Sequence, residues 1–175
     1  MFLSLVQKRR SIRRYKDKPV EPEKIDRLIE AVLRAPSSRG FNPWEFVVIT
    51  DRALLENLSR AKPHGASFLK DASLGIVVCA DPEKCDVWIE DASIASIYIH
   101  LAAESMELGS CWIQIRKRMH GETKSAEQYI RELLNIPENL NVESMIAIGY
   151  PAEKKSPHPK EGLQYEKVHY NGYGK

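Results

Sequence analysis

The 175-residue chain contains few of the residue groups that mark common metal, disulfide and membrane proteins. Its three cysteines are an odd number and form no C-x-x-C pair, which argues against a disulfide framework or a zinc site. The five histidines are scattered without H-x-x-x-H spacing, so no bound metal is expected. No uncharged apolar run reaches the ~18 residues of a membrane span. MFLSLV at residues 1–6 precedes the basic residues, the reverse of signal-peptide order. We therefore expect a cytoplasmic protein with no membrane partner.

Motifs for phosphate loops and activated nucleophiles are also missing. The chain has no G-x-G-x-x-G, no G-x-x-x-x-G-K-[ST] and no G-x-S-x-G, so neither a Rossmann turn, a P-loop nor a hydrolase elbow is predicted. Glu90 and Asp91 are adjacent carboxylates that would diverge by about 100° around a helix. We interpret them as solvated or capping acids, and we predict no catalytic side chain.

Positive charge is concentrated in one place. The chain carries 26 lysines and arginines against 24 acidic residues, a net charge of +2, whereas a protein that wraps nucleic acid usually shows a larger imbalance. The segment QKRRSIRRYKDKPV, residues 7–20, nevertheless holds Arg9, Arg10, Arg13 and Arg14. From these residues alone, three partners of the arginines remain open: a nucleic-acid backbone, a small phosphate or only water.

Hydrophobic periodicity predicts a single domain in which helices cover a mixed sheet. Because the strand at 75–80 is nearly all apolar, we expect it to be covered on both faces. The helix at 84–108 is apolar or small nearly all round, which is typical of a helix in a core or a subunit interface. The polar tail alternates like an edge strand at 163–170 and is expected to be disordered or to lie on another subunit. The remaining predicted helices are 3–10, 22–35, 51–62 and 123–134, and the remaining strands are 44–50, 110–115 and 144–150.

Four motifs occur in order along the chain: RRSIRRY at 9–15, APSSRGFNPWEFVVI at 35–49, ELGSCWI at 107–113 and IGYPAE at 148–153. Together they resemble the FMN-dependent nitroreductase family over nearly the whole chain. The resemblance implies an α+β sandwich with a mixed central sheet flanked by helices, assembled as an intertwined homodimer with FMN at the subunit interface. It implies an FMN-binding domain over 1–152 and a C-terminal arm over 153–175 that packs on the partner subunit.

The same resemblance implies an enzyme that uses NADH or NADPH as electron donor. The donor leaves a hydride on flavin N5, and an electron-poor acceptor such as a nitroaromatic or a quinone then takes electrons in the same pocket, which is a ping-pong mechanism. The sequence does not decide between NADH and NADPH. Two alternatives remain at this point: a flavin-binding protein without turnover, and a basic nucleic-acid-binding module.

The resemblance also assigns cofactor-binding residues. It places Arg9 near the phosphate, whose oxygens the guanidinium fork matches, and Arg13 toward the N1–O2 edge of the ring. Lys160 stands where many relatives carry a phosphate-binding arginine, and Arg14 and Lys16 are assigned to solvent. Residues 64–71 are a hypothetical pocket rim. The predicted cofactor-binding residues are Arg9, Arg10, Ser11, Arg13, Pro36, Ser37, Ser38, Asn42, Cys111, Trp112, Ile113 and Lys160.

Overall fold

The structure, a computed structural model, describes residues 2–174, in which helices and strands follow the predicted order. The helices are α1 (Phe2–Lys8), α2 (Pro22–Leu33), α3 (Arg52–Ser59), α4 (Trp88–Ser105) and α5 (Ala126–Leu134). The strands are β1 (Trp44–Ile49), β2 (Leu74–Ala80), β3 (Gly109–Gln114) and β4 (Asn141–Gly149). No helix of this described part is both long and apolar enough to span a bilayer.

Local sequence signals account for most helix boundaries. Pro22 occupies the first turn of α2, where a missing N–H breaks no helical hydrogen bond. Asp51 caps α3 by accepting from the Leu54 N–H at 2.8 Å, and Ser125 caps α5 in the same way. Asn135 ends α5 in the left-handed region at φ 54°, which asparagine tolerates better than most residues. These short caps are what fix the connections between helices and sheet.

The four strands form one sheet in the order β1-β2-β4-β3, and all three strand pairs are antiparallel. The α+β architecture is therefore confirmed. The sheet was expected to be mixed. Within residues 2–174, its parallel pairing consists of one isolated bridge between Ser11 and Ser110. The strands β1 and β3 are the two edges of the sheet.

Helices cover both faces of the sheet, which makes three layers. One core contains buried side chains of α2 and α4, and the other contains those of α3 and α5. All seven residues of β2 are buried, as predicted for a strand covered on both faces. The central position of α4 is also confirmed, because Ala92, Ala95 and Ile99 on its inner side are fully buried against the sheet.

Several boundaries differ from the sequence prediction: α3 ends at Ser59, α5 begins at Ala126 and β4 begins at Asn141, where residues 62, 123 and 144 were predicted. The helix α4 begins at Trp88 rather than near residue 84, because the Asp81 carboxylate accepts from the Glu83 N–H at 2.9 Å and holds a turn there. The alternating pattern at 163–170 forms no strand within the single chain, where two 3₁₀ turns stand at Lys160–Gly162 and Tyr165–Lys167, and its expected contact with another subunit stays a prediction. An alternating pattern forms a strand only beside a free sheet edge, and this part of the tail pairs with none of the described strands.

Candidate functional site

The arginine segment is fixed along the outer edge of β3. The Ile12 N–H donates to the Ser110 carbonyl at 3.0 Å, and Ser11 bridges to the same residue. The contact requires glycine at position 109, because a Cβ there would lie 2.8 Å from the Ile12 side chain. Further along, Tyr15 is buried and donates its hydroxyl to the Ile12 carbonyl at 2.6 Å. The segment is thus held by its backbone and its apolar side chains. The arginine side chains are not needed to anchor it.

The guanidinium groups of this segment have no carboxylate partner within 4.0 Å in residues 2–174. Arg9 is half-buried and Arg13 is exposed. Arg10 donates from its guanidinium to the Ser156 carbonyl, so it is already engaged with the C-terminal arm. By contrast, Arg34 and Arg52 each pair with an acid. Several guanidinium groups held close together without a carboxylate partner of their own favour an anionic ligand.

The first residues of the C-terminal arm clamp this segment from the outside. The Glu153 carboxylate accepts from the Arg13 N–H at 2.6 Å, and this backbone hydrogen bond holds the pKa of Glu153 below its usual value. Lys155 donates to the Ser11 carbonyl at 2.6 Å and pairs with Glu153 at 3.3 Å. Lys155, rather than the predicted Lys160, is therefore the lysine that lies beside Ser11. Sequence reasoning missed Lys155, because nothing in the sequence distinguishes it from the adjacent Lys154.

Behind the segment lies a buried polar pair. The His100 Nδ1 atom is 2.7 Å from the Ser110 hydroxyl oxygen, and both residues are buried. Burial, together with the smaller effect of the nearby Arg9 charge, lowers the pKa of His100 to about 4. The imidazole is thus neutral near pH 7. It joins α4 to β3 at the residue that also holds Ile12, a contact that sequence reasoning did not find.

The three predicted residues of β3 do not share one environment. Cys111 and Ile113 are buried in the core on one face of the sheet, and burial raises the pKa of the Cys111 thiol. Trp112 is half-buried on the other face and donates from Nε1 to the Gln114 side-chain oxygen at 3.0 Å. Since the Ser110 carbonyl points outward to Ile12, the alternation of an antiparallel ladder points the Trp112 N–H and C=O outward as well. A ligand at this edge would meet the backbone of Trp112.

The hypothetical rim at 64–71 lies beside the arginine segment. Phe68 is half-buried within the 3₁₀ turn Ser67–Asp71, and the Arg13 guanidinium carbon is 5.7 Å from the centre of its ring. Lys62 precedes this rim, and burial lowers its pKa, with the Arg118 charge acting in the same direction. The rim therefore presents an aromatic face next to Arg13.

The predicted loop over residues 36–42 is organised by its own side chains and by α4. The Asn42 N–H donates to the Ser37 hydroxyl at 2.7 Å, and the Ser38 N–H donates to the Asp91 carboxylate at 2.9 Å. Arg39 and Asn42 both have positive φ, at 53° and 47°. Such backbone geometry in non-glycine residues is uncommon and often occurs at ligand sites. Pro36 and Asn42 are exposed, so the loop presents polar groups to solvent.

The structure does not bring the two predicted groups together in one chain. The loop contacts α4 at Asp91, near the start of the helix, whereas α1 packs against α4 and Arg9 influences His100 near its other end. Asp91 and His100 are about 14 Å apart along the helix axis. The arginine segment and the loop therefore belong to opposite ends of the longest helix.

Lys160 lies apart from the Ser11 contact, in a cavity of about 780 Å³ between α1 and the C-terminal arm. Leu3 and Val6 of α1 and Leu163 and Tyr165 of the arm line its apolar part. The exposed fractions of these side chains run from 47% for Val6 to 65% for Leu3. An open apolar cavity of this kind is typical of a surface that another chain covers.

The outer side of α4 is similarly apolar and uncovered. Ile94, Ile97 and Tyr98 are 40%, 50% and 37% exposed, and their spacing places them on one stripe of the helix. The inner side of the same helix is already packed on the sheet. The stripe therefore offers a contact surface between the two ends that carry the loop and the arginine segment.

In residues 2–174, no three His, Cys, Asp or Glu side chains are grouped so as to hold a metal ion. Cys79, Cys85 and Cys111 are buried and free. The chemistry of the described site thus rests on arginine, lysine, hydroxyl and backbone amide groups.

Comparison with known proteins identifies the family to which this chain belongs. The model of the Nitroreductase family matches residues 6–63 and 60–150. A solved FMN-dependent nitroreductase from Clostridium difficile R20291 is 50% identical and superposes with a TM-score of 0.96, covering 98% of this chain and 99% of that one. The chain belongs to the nitroreductase family.

Two curated relatives agree in class. A protein of Archaeoglobus fulgidus, provisionally named as an NADH dehydrogenase/NAD(P)H nitroreductase, is 39% identical over 87% of this chain and 87% of its own length. An FMN reductase [NAD(P)H] of Bacillus subtilis is 28% identical over 93% of this chain and 72% of its own length.

Proposed function

We propose that this protein is an NAD(P)H-dependent FMN oxidoreductase that reduces nitroaromatic, quinone or similar electron-poor acceptors by a ping-pong mechanism. The observation that carries the proposal is the arginine segment on the edge of β3, with guanidinium groups that lack acidic partners. Membership of the nitroreductase family and the FMN named for the Clostridium difficile structure support the choice of cofactor.

The donor set fits FMN in charge and in kind. A phosphate monoester carries nearly two negative charges at neutral pH, and the half-buried Arg9 guanidinium, which pairs with no carboxylate of residues 2–174, offers a cationic donor for it. Arg13 and the outward-facing Trp112 backbone supply a charge and amide groups along the same edge. Each hydrogen bond to a charged group contributes about 1.5–3 kcal/mol, so two or three of them suffice for tight binding.

When bound, FMN supplies the hydride acceptor and donor, and the chain supplies binding, orientation and charge. We propose that Arg9 holds the phosphate and that Arg13 faces the N1–O2 edge of the ring, where a fixed cation favours the reduced cofactor. Phe68 beside Arg13 would limit the space above this edge and keep water from part of it. No side chain of the chain is proposed to form a covalent bond.

We further propose that the site is completed by a second copy of the chain. The loop over 36–42 and the arginine segment lie at opposite ends of α4, so a loop from the partner can reach the arginines of the first chain if two α4 stripes pack together. In this assembly, residues 1–152 form the cofactor-binding domain and residues 153–175 form an arm, whose first residues, 153–156, hold the arginine segment of their own chain and whose later residues pack on the partner subunit. The exposed Leu163, Tyr165 and Val168 of the arm support that role.

The proposal is tested by purifying the protein and recording its absorption spectrum. We expect a yellow protein with one FMN per chain, whose flavin absorption is bleached by NADH or NADPH without oxygen. Steady-state rates at several donor and acceptor concentrations should then give parallel lines in a double-reciprocal plot. A colourless protein that cannot be reconstituted with FMN would refute the function.

The same experiment separates the alternatives. Yellow protein that neither NADH nor NADPH bleaches would favour a flavin-binding protein without turnover. Intersecting lines would refute the ping-pong mechanism while leaving the cofactor in place. Rates with the two donors compared at equal concentration decide which nucleotide the enzyme prefers.

A further inference from the structure

Asp91 is a buried carboxylate without a cationic partner. It is 2% exposed and lies in the first turn of α4, and no lysine or arginine nitrogen of residues 2–174 is within 4.0 Å of it. An ionised carboxylate in such a place is unfavourable unless hydrogen bonds stabilise it. The positive end of the α4 dipole offsets part of this penalty.

The two hydrogen bonds to Asp91 come from outside its helix. One oxygen accepts from the Ser38 backbone N–H at 2.9 Å, and the other accepts from the Cys85 thiol at 3.6 Å. Cys85 is 3% exposed, so this side of the carboxylate is closed to solvent. The Ser38 bond is the stronger of the two, because a backbone N–H is a better donor than a thiol.

The Ser38 bond joins the loop to a rigid helix at the point where its backbone is least regular. The next residue, Arg39, has φ 53°, and Gly40 follows at φ 68°. The Ser38 bond adds an anchor on α4 to the contact between Ser37 and Asn42 within the loop, and a loop that must be ordered on binding loses affinity.

We propose that Asp91 is a positioning residue that holds residues 37–42 in the conformation that binds the cofactor of the partner subunit. This inference rests on the proposed function. Asp91 would not touch the cofactor but would act through the Ser38 backbone. The adjacent Glu90 is exposed and has no such contact, so the two neighbouring acids have different tasks.

The test compares Asp91→Ala with Asp91→Asn in the full-length dimer. Asp91→Ala should weaken FMN binding, measured by quenching of flavin fluorescence, by about 10- to 100-fold, the loss expected from one hydrogen bond to a charged group. Asparagine keeps an acceptor oxygen for Ser38, so Asp91→Asn should stay within about fivefold of wild type. Hydrogen exchange at the Ser38 amide, measured in FMN-free protein, should accelerate at least about tenfold in Asp91→Ala only.

Further variants keep the inference open to refutation. Ser38→Pro removes the N–H itself while leaving Asp91 in place, and the extended Ser37 before it suits a following proline. Because the Ser38 hydroxyl is itself a predicted cofactor contact, Ser38→Ala is the reference: Ser38→Pro should weaken FMN binding at least about tenfold more than Ser38→Ala does, even if Asp91→Ala does not fold. Asp86→Ala is the matched control, because it removes an exposed ion pair with Arg39 of the same loop at 3.0 Å and should change FMN affinity less than twofold.

The outcomes distinguish this inference from the proposed function. Wild-type protein that binds no FMN would refute both. Wild-type affinity in folded, dimeric Asp91→Ala, or the same affinity in Ser38→Pro as in Ser38→Ala, would refute the positioning role alone. A lower melting temperature with unchanged FMN affinity would show that Asp91 only stabilises the fold and would also refute it.

Discussion

The two ends of α4 carry different kinds of binding groups, cationic at one end and neutral at the other. Near the end of the helix, His100 lies behind the arginine segment, which is fixed by backbone contacts to β3 and carries the cationic Arg9. Near its start, the loop over 36–42 presents neutral hydroxyl and amide groups and is tied down through Asp91. One end therefore suits a phosphate, and the other suits neutral hydrogen-bonding atoms.

The difference also concerns rigidity. The cationic end is part of the sheet, since Ser11 and Ile12 contact an edge strand. The neutral end is a loop with uncommon backbone angles that depends on one buried acid. A cofactor that needs both ends can use the rigid one for affinity and the loop for the shape of the pocket, provided that two chains bring opposite ends together.

The largest effect is expected from a substitution that prevents the α4 stripes of two chains from packing together. Ile97→Asp places a charge in the middle of the exposed stripe of α4, and burying an unpaired carboxylate in an interface is strongly unfavourable. We expect the dimer to dissociate at micromolar concentration and FMN binding to disappear with it, measured by sedimentation and flavin fluorescence. Ala53→Asp adds the same charge to an exposed position of α3, on the opposite face of the sheet, and should leave both unchanged. A monomeric variant that still binds FMN tightly would show that the ends need not meet.

A smaller loss is expected at the cationic end itself. Arg9→Ala and Arg13→Ala should each weaken FMN binding by about 10- to 100-fold, the contribution of one hydrogen bond to a charged group. Arg9→Lys keeps the charge but not the fork, so its loss should be intermediate. Fluorescence titration measures all three. Equal affinity for the arginine, lysine and alanine forms would exclude a phosphate at Arg9.

The buried histidine predicts an acid-sensitive contact at the same end. The folded protein holds His100 neutral with a pKa near 4, whereas an unfolded chain has an ordinary histidine pKa of about 6.5. The unfolded state therefore binds the extra proton first, and this group lowers the free energy of unfolding as pH falls from about 6.5 to 4, by about 3 kcal/mol in total.

Urea unfolding at several pH values checks this effect. His100→Asn, which can still hydrogen-bond to Ser110, should reduce the loss of stability over that range by about the same 3 kcal/mol. The exposed His64→Asn is the control and should follow wild type. If wild type and His100→Asn lose stability in parallel, the histidine is not held neutral by its surroundings.

The smallest effect is expected at Arg14. Its side chain is exposed, and its backbone is held by Glu153 and Ala152 rather than by its charge. Arg14→Ala should change FMN affinity less than twofold. A loss equal to that of Arg9→Ala would show that the segment acts as one undivided patch of charge.

The sequence predicted the elements well because their signals are local. Proline at the start of α2 and the apolar residues of β2 each depend on near neighbours, and the structure has both. The small residues of α4 indicated its central position for the same reason. The predicted start of α4 was wrong, because a side-chain turn at Asp81 is not visible in a hydrophobic pattern.

The candidate site was predicted only in part, because its supporting contacts are long-range. Asp91 was interpreted as a solvated or capping acid, and only folding shows that it meets Ser38, which lies 53 residues away. The contact of Lys155 with Ser11 spans 144 residues. Ile113 was named from its neighbours in a motif, yet its side chain is fully buried. Motifs indicate which segments meet a cofactor, but burial decides which side chains can.

The central claim, that each cofactor site takes one end of α4 from each chain, is tested most directly with mixed dimers. One chain carries Arg9→Ala, and the other carries Ser37→Ala, Ser38→Ala and Asn42→Ala, with different tags so that the mixed dimer can be isolated. If the ends come from different chains, one site of the mixed dimer has neither change and the other has both. We expect one tightly bound FMN per two chains, with neither parent dimer binding FMN tightly. A mixed dimer that binds FMN no better than its parents would contradict the claim and place both groups within a single chain.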